Sequence, residues 1–344
     1  MSLMNDLVID KQRASRLPMA AAWCIKLSLM FVLMASGALQ ASELSLWQGD
    51  AKARITGFIN AVSDPKSPSY VAPAERVAVI DNNGTMWAEQ PASPQLLFAM
   101  AQAQNMVNEN PELLNQPVFK AANNNDLETL RSQGITGLLQ LFIATHVGLP
   151  IAEFEARVSR WIATAKNPKT NQLHTDMTYL PMLELLALLR KHDFDIWLAT
   201  SGSAGFVRAW SEQVYAIPPD RVIASELRTE YRVLNGRPSL IHMPEVGFIN
   251  SKGNKVVAIN ERIGRRPILA IGNSDHDIAM LEWTTSGEGK RLGILIHHTD
   301  SKREFAYDKD AYAATLDEGL ATAKQQDWLV VDMKQDWTQV FKWQ

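Results

Sequence analysis

The chain has 344 residues, of which 46% are hydrophobic, and a formal net charge of −3. This length is sufficient for a large core domain with an inserted second domain. The nearly balanced charge, with no basic run and no acidic tail, gives no indication of nucleic-acid binding. The single cysteine, Cys24, lies near the N-terminus, so the rest of the chain carries neither a thiol nucleophile nor thiolate metal ligands.

Residues 1–41 predict a signal peptide. Basic residues up to Lys26 precede an uncharged, mostly apolar stretch from Leu27 to Ala38, and Ala41 offers a small residue for cleavage before Ser42. A retained membrane anchor is the alternative, but the stretch is short against the ~20 residues that span a bilayer. We therefore expect cleavage, export to a bacterial periplasm and no stable membrane association afterwards.

The first strand of the predicted fold follows a helix expected between Ser45 and Val62. Four apolar residues, Val77–Ile80, run directly into the polar turn that begins at Asp81 and contains Gly84. A short apolar run that ends in a turn is typical of a buried central strand. Open α/β sheets bind their ligands at the carboxyl ends of such strands, so Asp81 is a candidate site residue.

The region from residue 94 to residue 180 is helical throughout, with apolar residues at helical spacing and no strand signal. We expect an inserted helical cap domain at 94–180, with the core domain formed by 42–93 and 181–344. The alternative is that these helices only connect two strands of a larger sheet. A connection between adjacent parallel strands usually needs one helix, and this favours the inserted domain.

The second candidate strand end is Ile196–Ala199, followed by Thr200, Ser201 and Gly202 before a helix begins. A hydroxyl group beside the backbone N–H groups of a helix start forms a good anion site. Ser201 is the better candidate, with Thr200 in reserve. Further along, residues 221–224 and 231–234 predict two short strands, the second entering a hairpin at the Asn-Gly turn of residues 235–236.

The third strand end is the most specific signal. An apolar run to Ile271 ends in a segment with several polar side chains: Gly272, Asn273, Ser274, Asp275, His276 and Asp277. Acids and an amide packed this closely repel one another unless a cation lies among them, and oxygen ligands of this kind suit Mg²⁺. A capped turn of Asx residues is the alternative. A fourth strand, residues 292–296, leads to His297 and His298, which we interpret as strand-end or surface residues.

A helix is also predicted to begin in the segment Ser251–Ile259, which contains Lys252 and Lys255. The three strand ends and this segment, in their order along the chain, resemble the four motifs of the haloacid dehalogenase superfamily, and the last resembles most closely its phosphoserine-phosphatase-like members. The resemblance implies an α/β fold: a doubly wound, Rossmann-like parallel sheet with an inserted helical cap. It also implies a Mg²⁺-dependent hydrolase, here a periplasmic phosphatase that acts on a small phosphorylated metabolite through an aspartyl-phosphate intermediate.

The resemblance also implies a role for each motif. Asp81 is the nucleophile, and Lys255 neutralises it together with the phosphoryl oxygens, with Lys252 as a close rival. The residues implied to hold the substrate are Thr85, Ser201, Gly202 and Lys255. The residues implied to hold Mg²⁺ are Asp81, Asn83 through its backbone carbonyl, Asn273, Asp275 and Asp277.

One departure from the family pattern bears on function. Asn83 stands where the family has a second Asp, the general acid/base, and an amide cannot transfer a proton. General acid/base catalysis contributes ~10²–10⁴ in rate, so we expect slow turnover, good leaving groups, a non-ester substrate or another acid. His276, which replaces a Gly of the family motif, is the candidate acid. The alternative is a catalytically impaired member that binds a phosphorylated ligand or a partner protein.

Overall fold

The computed structural model describes residues 44–311 and 314–344. The predicted signal peptide, residues 1–41, therefore lies outside the described residues. Within the described part, none of the helices combines the length and the apolar composition that crossing a membrane requires.

In the described part of the chain, seven strands form one sheet in the order β4-β3-β2-β1-β5-β6-β7. Neighbouring strands are parallel except for the β3–β4 pair, which is antiparallel at the edge. The strands are β1 Val77–Ile80, β2 Asp195–Ser203, β3 Val222–Leu234, β4 Arg237–Phe248, β5 Leu269–Gly272, β6 Leu292–His297 and β7 Leu329–Asp332.

Strand β1 lies at the centre of the sheet between β2 and β5. Val79 is in register with Trp197 of β2 on one side and with Ala270 of β5 on the other. The chain leaves β1 for the cap and returns as β2, whereas β5 lies on the other side of β1, so this is a topological switch point. The carboxyl ends of the three strands therefore meet at one edge of the sheet.

Helices cover both faces of the sheet, which confirms the predicted doubly wound α/β fold. Alternate residues of β1 point to opposite faces, so Ile80 packs in one core cluster and Val79 in the other. The helices are α1 Gly49–Ser63, α2 Pro94–Glu109, α3 Pro117–Asn123, α4 Leu127–Ser132, α5 Gly134–His146, α6 Ile151–Ile162, α7 Leu180–Lys191, α8 Ala204–Arg208, α9 Ser211–Tyr215, α10 Gly253–Ile263, α11 Ile278–Thr285, α12 Glu318–Gln325 and α13 Met333–Asp336.

Helices α2 to α5 enclose a third hydrophobic cluster, separate from the two cores that flank the sheet. Helix α2 begins sharply because Pro94 occupies its first turn and the Ser93 hydroxyl accepts a hydrogen bond from the N–H of Leu96. Helix α6, although it lies within the predicted cap, contributes Phe154 and Val158 to the core on the sheet. The helical insert thus has its own core and packs on the core of the sheet through α6 and through Phe98 of α2.

The edge hairpin departs from the predicted strand lengths. The two short strands expected at 221–224 and 231–234 form one continuous strand, β3. The polar residues between them do not break the strand because its outer half projects beyond the parallel sheet and is exposed on both faces. The hairpin turn at Asn235 and Gly236 is confirmed, and both residues have positive φ, as a tight two-residue connection requires.

Candidate active site

The turn after β1 is organised by close approach of backbone and side chains. The Asp81 N–H donates to the carbonyl of Ile271 in β5, and the N–H groups of Thr85 and Met86 donate to the carbonyl of Asn82. Gly84 has φ +73°, and a Cβ there would lie 2.1 Å from the Asn273 amide nitrogen. A glycine is therefore required where the turn after β1 touches the loop after β5.

Three buried charges meet at the ends of β1 and β5. Lys255 Nζ lies 2.6 Å from Asp81 Oδ1 and 2.5 Å from Asp277 Oδ1. Asp81 is 6% exposed, Lys255 1% and Asp277 0%. One ammonium thus pairs with two carboxylates, and when both are ionised the trio carries a net charge of −1. A buried arrangement of this kind persists only when its members remain paired.

Burial and pairing act in opposite directions on this trio. Burial raises the pKa of Asp81 to about 7, because desolvation outweighs the opposing effect of Lys255. Burial alone would lower the pKa of Lys255, but the carboxylates of Asp277 and Asp81 outweigh it and raise that pKa. Lys255 is therefore a permanent cation. The geometry agrees with the prediction that Lys255, and not Lys252, pairs with Asp81, because the Lys252 side chain is exposed.

The loop after β5 holds Asp277 in place. Asp277 Oδ2 accepts hydrogen bonds from the Asn273 N–H at 3.1 Å, the Ser274 N–H at 3.2 Å and the Ser274 hydroxyl at 3.1 Å. With Lys255 on its other oxygen, this carboxylate has protein partners on both sides. Asp277 therefore orients Lys255 and the loop rather than presenting an oxygen to a ligand.

Asp275 lies elsewhere, although it is only two residues away. Its carboxylate accepts hydrogen bonds from the N–H groups of Asp317 and Gly319, at the start of α12. The short 3-10 turn Asp275–Asp277 sends the two acids in different directions. Of these two residues predicted as metal ligands, neither lines the cleft.

Asn273 connects the loop after β5 to the turn after β1. Its Oδ1 accepts the Thr85 hydroxyl at 3.0 Å, and its Nδ2 donates to Glu89 Oε1 at 3.2 Å. Thr85 is fully buried and does not line the cleft, so its hydroxyl orients Asn273 and lies away from the substrate position. The predicted substrate-binding role of Thr85 is therefore indirect in this geometry.

The end of β2 presents Ser201 and Gly202 to the same cleft as Asp81 and Lys255. The reserve candidate, Thr200, is buried, and its hydroxyl accepts the Gly202 N–H at 3.1 Å. Thr200 thus shapes the turn, while Ser201 is the hydroxyl that faces the cleft. A hydroxyl group and the Lys255 ammonium that line one cleft form a suitable site for an anion.

Asn83 lies in the cleft with its side-chain oxygen already bonded. Its Oδ1 accepts a hydrogen bond from the Trp87 indole N–H at 2.8 Å and a longer one from Asn82 Nδ2 at 3.4 Å. Trp87 is itself stacked on Trp210, with ring centroids 4.3 Å apart. The amide that replaces the family acid is therefore held by packing.

His276 also lines the cleft. Its Nδ1 lies 2.7 Å from the Ser251 hydroxyl, and its backbone carbonyl accepts the Lys252 N–H at 3.1 Å. These contacts bind the loop after β5 to the residues that precede α10. They bring the proposed substitute acid to the site.

Glu89 is the acid that the sequence did not reveal. It is buried, lines the cleft and accepts hydrogen bonds from Tyr307 at 2.6 Å and from Asn273. Burial raises the pKa of Glu89. Glu89 lies in a loop that has no periodic pattern of apolar residues, and an acidic residue in such a loop is normally exposed to solvent. Only its position between Asp81 and Pro91 could have suggested a site residue.

His298, interpreted as a strand-end or surface residue, directly follows the end of β6 but is not on the surface. His298 is buried, with Nε2 2.7 Å from the carbonyl oxygen of Gly84 and Nδ1 3.2 Å from Glu304 Oε2. Its ring stacks on that of Tyr307, with centroids 4.2 Å apart. His298 thus supports the turn after β1 from below. The loop that follows β6 folds back under the site, and no local sequence pattern predicts this.

The fit of these residues to Mg²⁺ depends on their oxygens. Among the described residues, no group of three or more His, Cys, Asp or Glu could hold a metal ion. Of the predicted donors, Asp81 and Asn83 line the cleft, whereas the Asn273 amide oxygen lies on the adjoining loop, where it accepts the Thr85 hydroxyl. Mg²⁺ accepts one or two carboxylates and completes its shell with waters and substrate phosphate. The donor set therefore fits a Mg²⁺ ion completed by substrate and water.

The cleft above these residues has a volume of about 380 Å³ and extends from the strand ends to the helical insert. This is within the usual size of a site for a small molecule. Its floor holds Asp81, Asn83, Ser201, Gly202, Lys255 and His276. The structure thus brings together residues of four predicted segments at one cleft. Four of the predicted site residues lie outside its lining: Thr85, Asn273, Asp275 and Asp277.

Comparison with known proteins gives a family match. The family model of haloacid dehalogenase-like hydrolases matches residues 78–282, which contain β1 to β5 and the helical insert. No curated protein matches the sequence.

Several solved structures resemble this one. A conserved protein of unknown function from Anaerococcus prevotii DSM 20548 is 14% identical, with 83% of this chain and 92% of that chain covered and a TM-score of 0.55. A protein of unknown function from Bordetella pertussis Tohama I is 17% identical over 75% of this chain and 99% of that chain, with a TM-score of 0.43. A phosphoserine phosphohydrolase-like protein from Francisella tularensis is 13% identical over 73% and 98%, with a TM-score of 0.35. The first of these shows a shared fold.

Proposed function

Because this chain belongs to the haloacid dehalogenase-like hydrolases, we propose that it is a phosphatase that hydrolyses a small phosphate monoester through a covalent intermediate on Asp81. The observation that supports this most is the buried trio of Asp81, Lys255 and Asp277 at the floor of a cleft. A carboxylate held by a lysine, and facing an open space lined by hydroxyl and N–H groups, is suited to receive a phosphoryl group.

In the first step, a carboxylate oxygen of Asp81 attacks phosphorus, and the bond from phosphorus to the ester oxygen breaks. The leaving oxygen carries away the electron pair and takes up a proton. In the second step, water attacks the aspartyl-phosphate, phosphate leaves with the water oxygen, and the Asp81 carboxylate is regenerated with release of a proton.

Lys255 and the end of β2 stabilise the charge that moves in these steps. The Lys255 ammonium lies against Asp81 and is positioned to approach the phosphoryl oxygens as they receive charge. The Ser201 hydroxyl, at the end of β2 in the same cleft, is a second donor, and the Gly202 N–H, which donates to Thr200, fixes the turn that carries it. Fixed donors in a site that excludes water cost no reorganisation during the reaction, which is why such groups contribute strongly to catalysis.

Mg²⁺ is part of the proposal. The Asp81 carboxylate, the Asn83 carbonyl and the Asn273 oxygen would hold it, and when bound it would offset the repulsion between carboxylate and phosphate. Asp277 and Asp275, whose carboxylates already have protein partners, act in the proposal by fixing Lys255 and the loop after β5.

Proton transfer is the weak step of this enzyme. The Asn83 amide cannot protonate the leaving oxygen, and His276 is the group that we propose to assist. Substrates with good leaving groups need little assistance, so we expect these to be preferred over simple alkyl alcohols as leaving groups.

The experiment measures hydrolysis of p-nitrophenyl phosphate and of phosphoserine by the purified protein with Mg²⁺ and with EDTA. We expect turnover with Mg²⁺, its loss in Asp81→Asn, and in Asn83→Asp a rise of ~10²–10⁴ for the ester with the poorer leaving group. Turnover that survives in Asp81→Asn would contradict a covalent intermediate on this residue.

A catalytically impaired member that binds a phosphorylated ligand is the second candidate. The fixed Asn83 side chain, with its oxygen on the Trp87 indole, favours it because this arrangement is stable without any catalytic role. It would be supported by a wild-type protein that has no activity and gains activity in Asn83→Asp.

We also propose export to the periplasm, which rests on residues 1–41 alone. Expression of the full chain in a Gram-negative host, followed by fractionation and mass measurement, tests it. A mature chain that begins near Ser42 in the periplasmic fraction is expected, and a full-length chain in the membrane fraction would favour the retained anchor.

A further inference from the structure

The cleft has two apolar sides above its polar floor. The first, which we call the cap wall, comes from α2 and α5 and consists of Leu96, Leu138, Leu139 and Phe142. The second, which we call the hairpin wall, comes from the base of the β3–β4 hairpin and the residue that follows it and consists of Leu227, Val246, Phe248 and Ile249. A ligand whose phosphate contacts the floor would extend between these walls.

The hairpin wall leaves large apolar side chains in water. Val246 is 39% exposed and Ile249 is 49% exposed, although both line the cleft. Single exposed apolar residues are common on protein surfaces, but here two stand on one side of a cleft and face a second apolar side. An apolar ligand would bury both sides at once.

The charged residues among the walls already have partners. The Arg131 guanidinium donates to the carbonyl of Pro91. The Glu226 carboxylate is paired with Arg208 at 3.3 Å and with Arg262 at 3.7 Å. A zwitterionic leaving group such as serine would need these groups to exchange partners, whereas an apolar one leaves the existing pairs intact.

His146 adds a neutral surface at the end of the cap wall. Its Nδ1 lies 2.6 Å from the carbonyl oxygen of Phe142, and its ring packs on Phe154 with centroids 4.0 Å apart. Together with the partnered charges, this makes dispersion and burial the principal interactions that the two walls offer.

We propose that the substrates are phosphate monoesters whose leaving group carries an extended apolar body, an alkyl chain or an aryl ring, held between the cap wall and the hairpin wall. This inference rests on the proposed phosphatase function for the position of the phosphate at Asp81. Each methylene that enters an apolar site contributes about a fourfold change in an equilibrium or rate constant.

The test compares kcat/KM for ethyl, butyl, hexyl and phenyl phosphates with that for phosphoserine, using wild-type protein and Mg²⁺. All the alkyl esters have leaving groups of similar basicity, so chain length reports contact with the walls. We expect kcat/KM to rise about fourfold per methylene up to the length that fills the cleft, and phosphoserine to be among the poorest substrates.

A binding measurement separates the two proposals. Calorimetric titration of the Asp81→Asn protein with ethyl-, butyl- and hexylphosphonate needs no turnover. If no ester is hydrolysed but hexylphosphonate binds more tightly than ethylphosphonate, the apolar cleft is supported and the phosphatase function fails. If esters are hydrolysed with no dependence on chain length, or phosphoserine is preferred, the phosphatase function stands and this inference is overturned.

A pair of matched substitutions locates the effect. Val246→Asp puts a carboxylate on the hairpin wall at an exposed position, so folding is not at risk. Val233→Asp makes the same change near the tip of the same hairpin, where the side chain is 57% exposed and outside the cleft. We expect Val246→Asp to lower the ratio of kcat/KM for hexyl to ethyl phosphate at least tenfold and Val233→Asp to leave it unchanged. Equal ratios in both variants would contradict the inference.

Discussion

The floor and the walls of the cleft depend on different interactions. The floor consists of buried charges that hold one another, with Lys255 between Asp81 and Asp277. The walls consist of apolar side chains without ion pairs, some packed on the hydrophobic clusters and others, on the hairpin wall, exposed. A change in the floor therefore disturbs both stability and chemistry, whereas a change in the walls alters what fits. Three predictions test this division.

The largest effect is expected from Lys255→Met, which removes the cation and leaves two buried carboxylates facing each other. Removing one partner of a buried ion pair costs about 3–5 kcal/mol, so we expect a loss of that size in the free energy of unfolding, with no measurable activity. Urea denaturation followed by tryptophan fluorescence measures it. Lys252→Met, at an exposed site nearby, is the control and should stay within ~0.5 kcal/mol of wild type. A stable, active Lys255→Met protein would show that the floor does not depend on its ion pairs.

An intermediate effect on the free energy of unfolding is expected when His146, at the end of the cap wall, becomes protonated. Burial lowers the pKa of His146 from 6.5 to about 4, so the unfolded state binds a proton more readily than the folded state. The stability contributed by the neutral ring is complete above pH 6.5 and is lost as pH falls towards 4. We expect His146 to account for about 1–3 kcal/mol of the stability lost between pH 7 and pH 5.

Denaturation curves at the two pH values, for wild type and His146→Gln, measure this contribution. His297→Gln, at the half-buried end of β6, is the matched control. The His146 variant should lose less stability on acidification than wild type and than the control. The same loss of stability in all three proteins would mean that protonation of His146 does not contribute to the pH dependence of folding.

The smallest effect is expected from Ile249→Ser on the hairpin wall. Because this side chain is 49% exposed, we expect the free energy of unfolding to change by less than ~0.5 kcal/mol, and kcat/KM for ethyl phosphate to stay near that of wild type. Ile271→Ser makes the same change in buried β5 and should cost more than ~2 kcal/mol. If Ile249→Ser proves as costly as Ile271→Ser, the wall is a structural element and the contrast with the floor is lost.

The sequence identified most of the floor because each part of it has a local signature. A short apolar run followed by polar turn residues marks the end of a buried strand, and parallel strands bring such ends to one edge. Asp81, Ser201 and Asn273 could be found in this way, as could the helical insert from its uninterrupted periodicity. Lys255 has no such signature, since a lysine at a helix start is usually solvated, and only the order of the motifs indicated it.

The remainder depended on directions and distances that no local pattern encodes. Asp275 and Asp277 look equivalent in the sequence, but a single 3-10 turn directs one to α12 and the other to Lys255. Glu89 and His298 enter the site because loops far apart in the chain pack under the same turn.

The sequence by itself determined the sheet and the strand ends at which the candidate site residues stand, and it placed Asn83 where the resembling motif has an acid, because these follow from residue order. Only the tertiary structure decided which carboxylate holds the lysine and which apolar side chains face the cleft. Those outcomes depend on contacts between the insert, the hairpin and the sheet. The directions of side chains and their packing set these contacts, and residue order alone does not predict them.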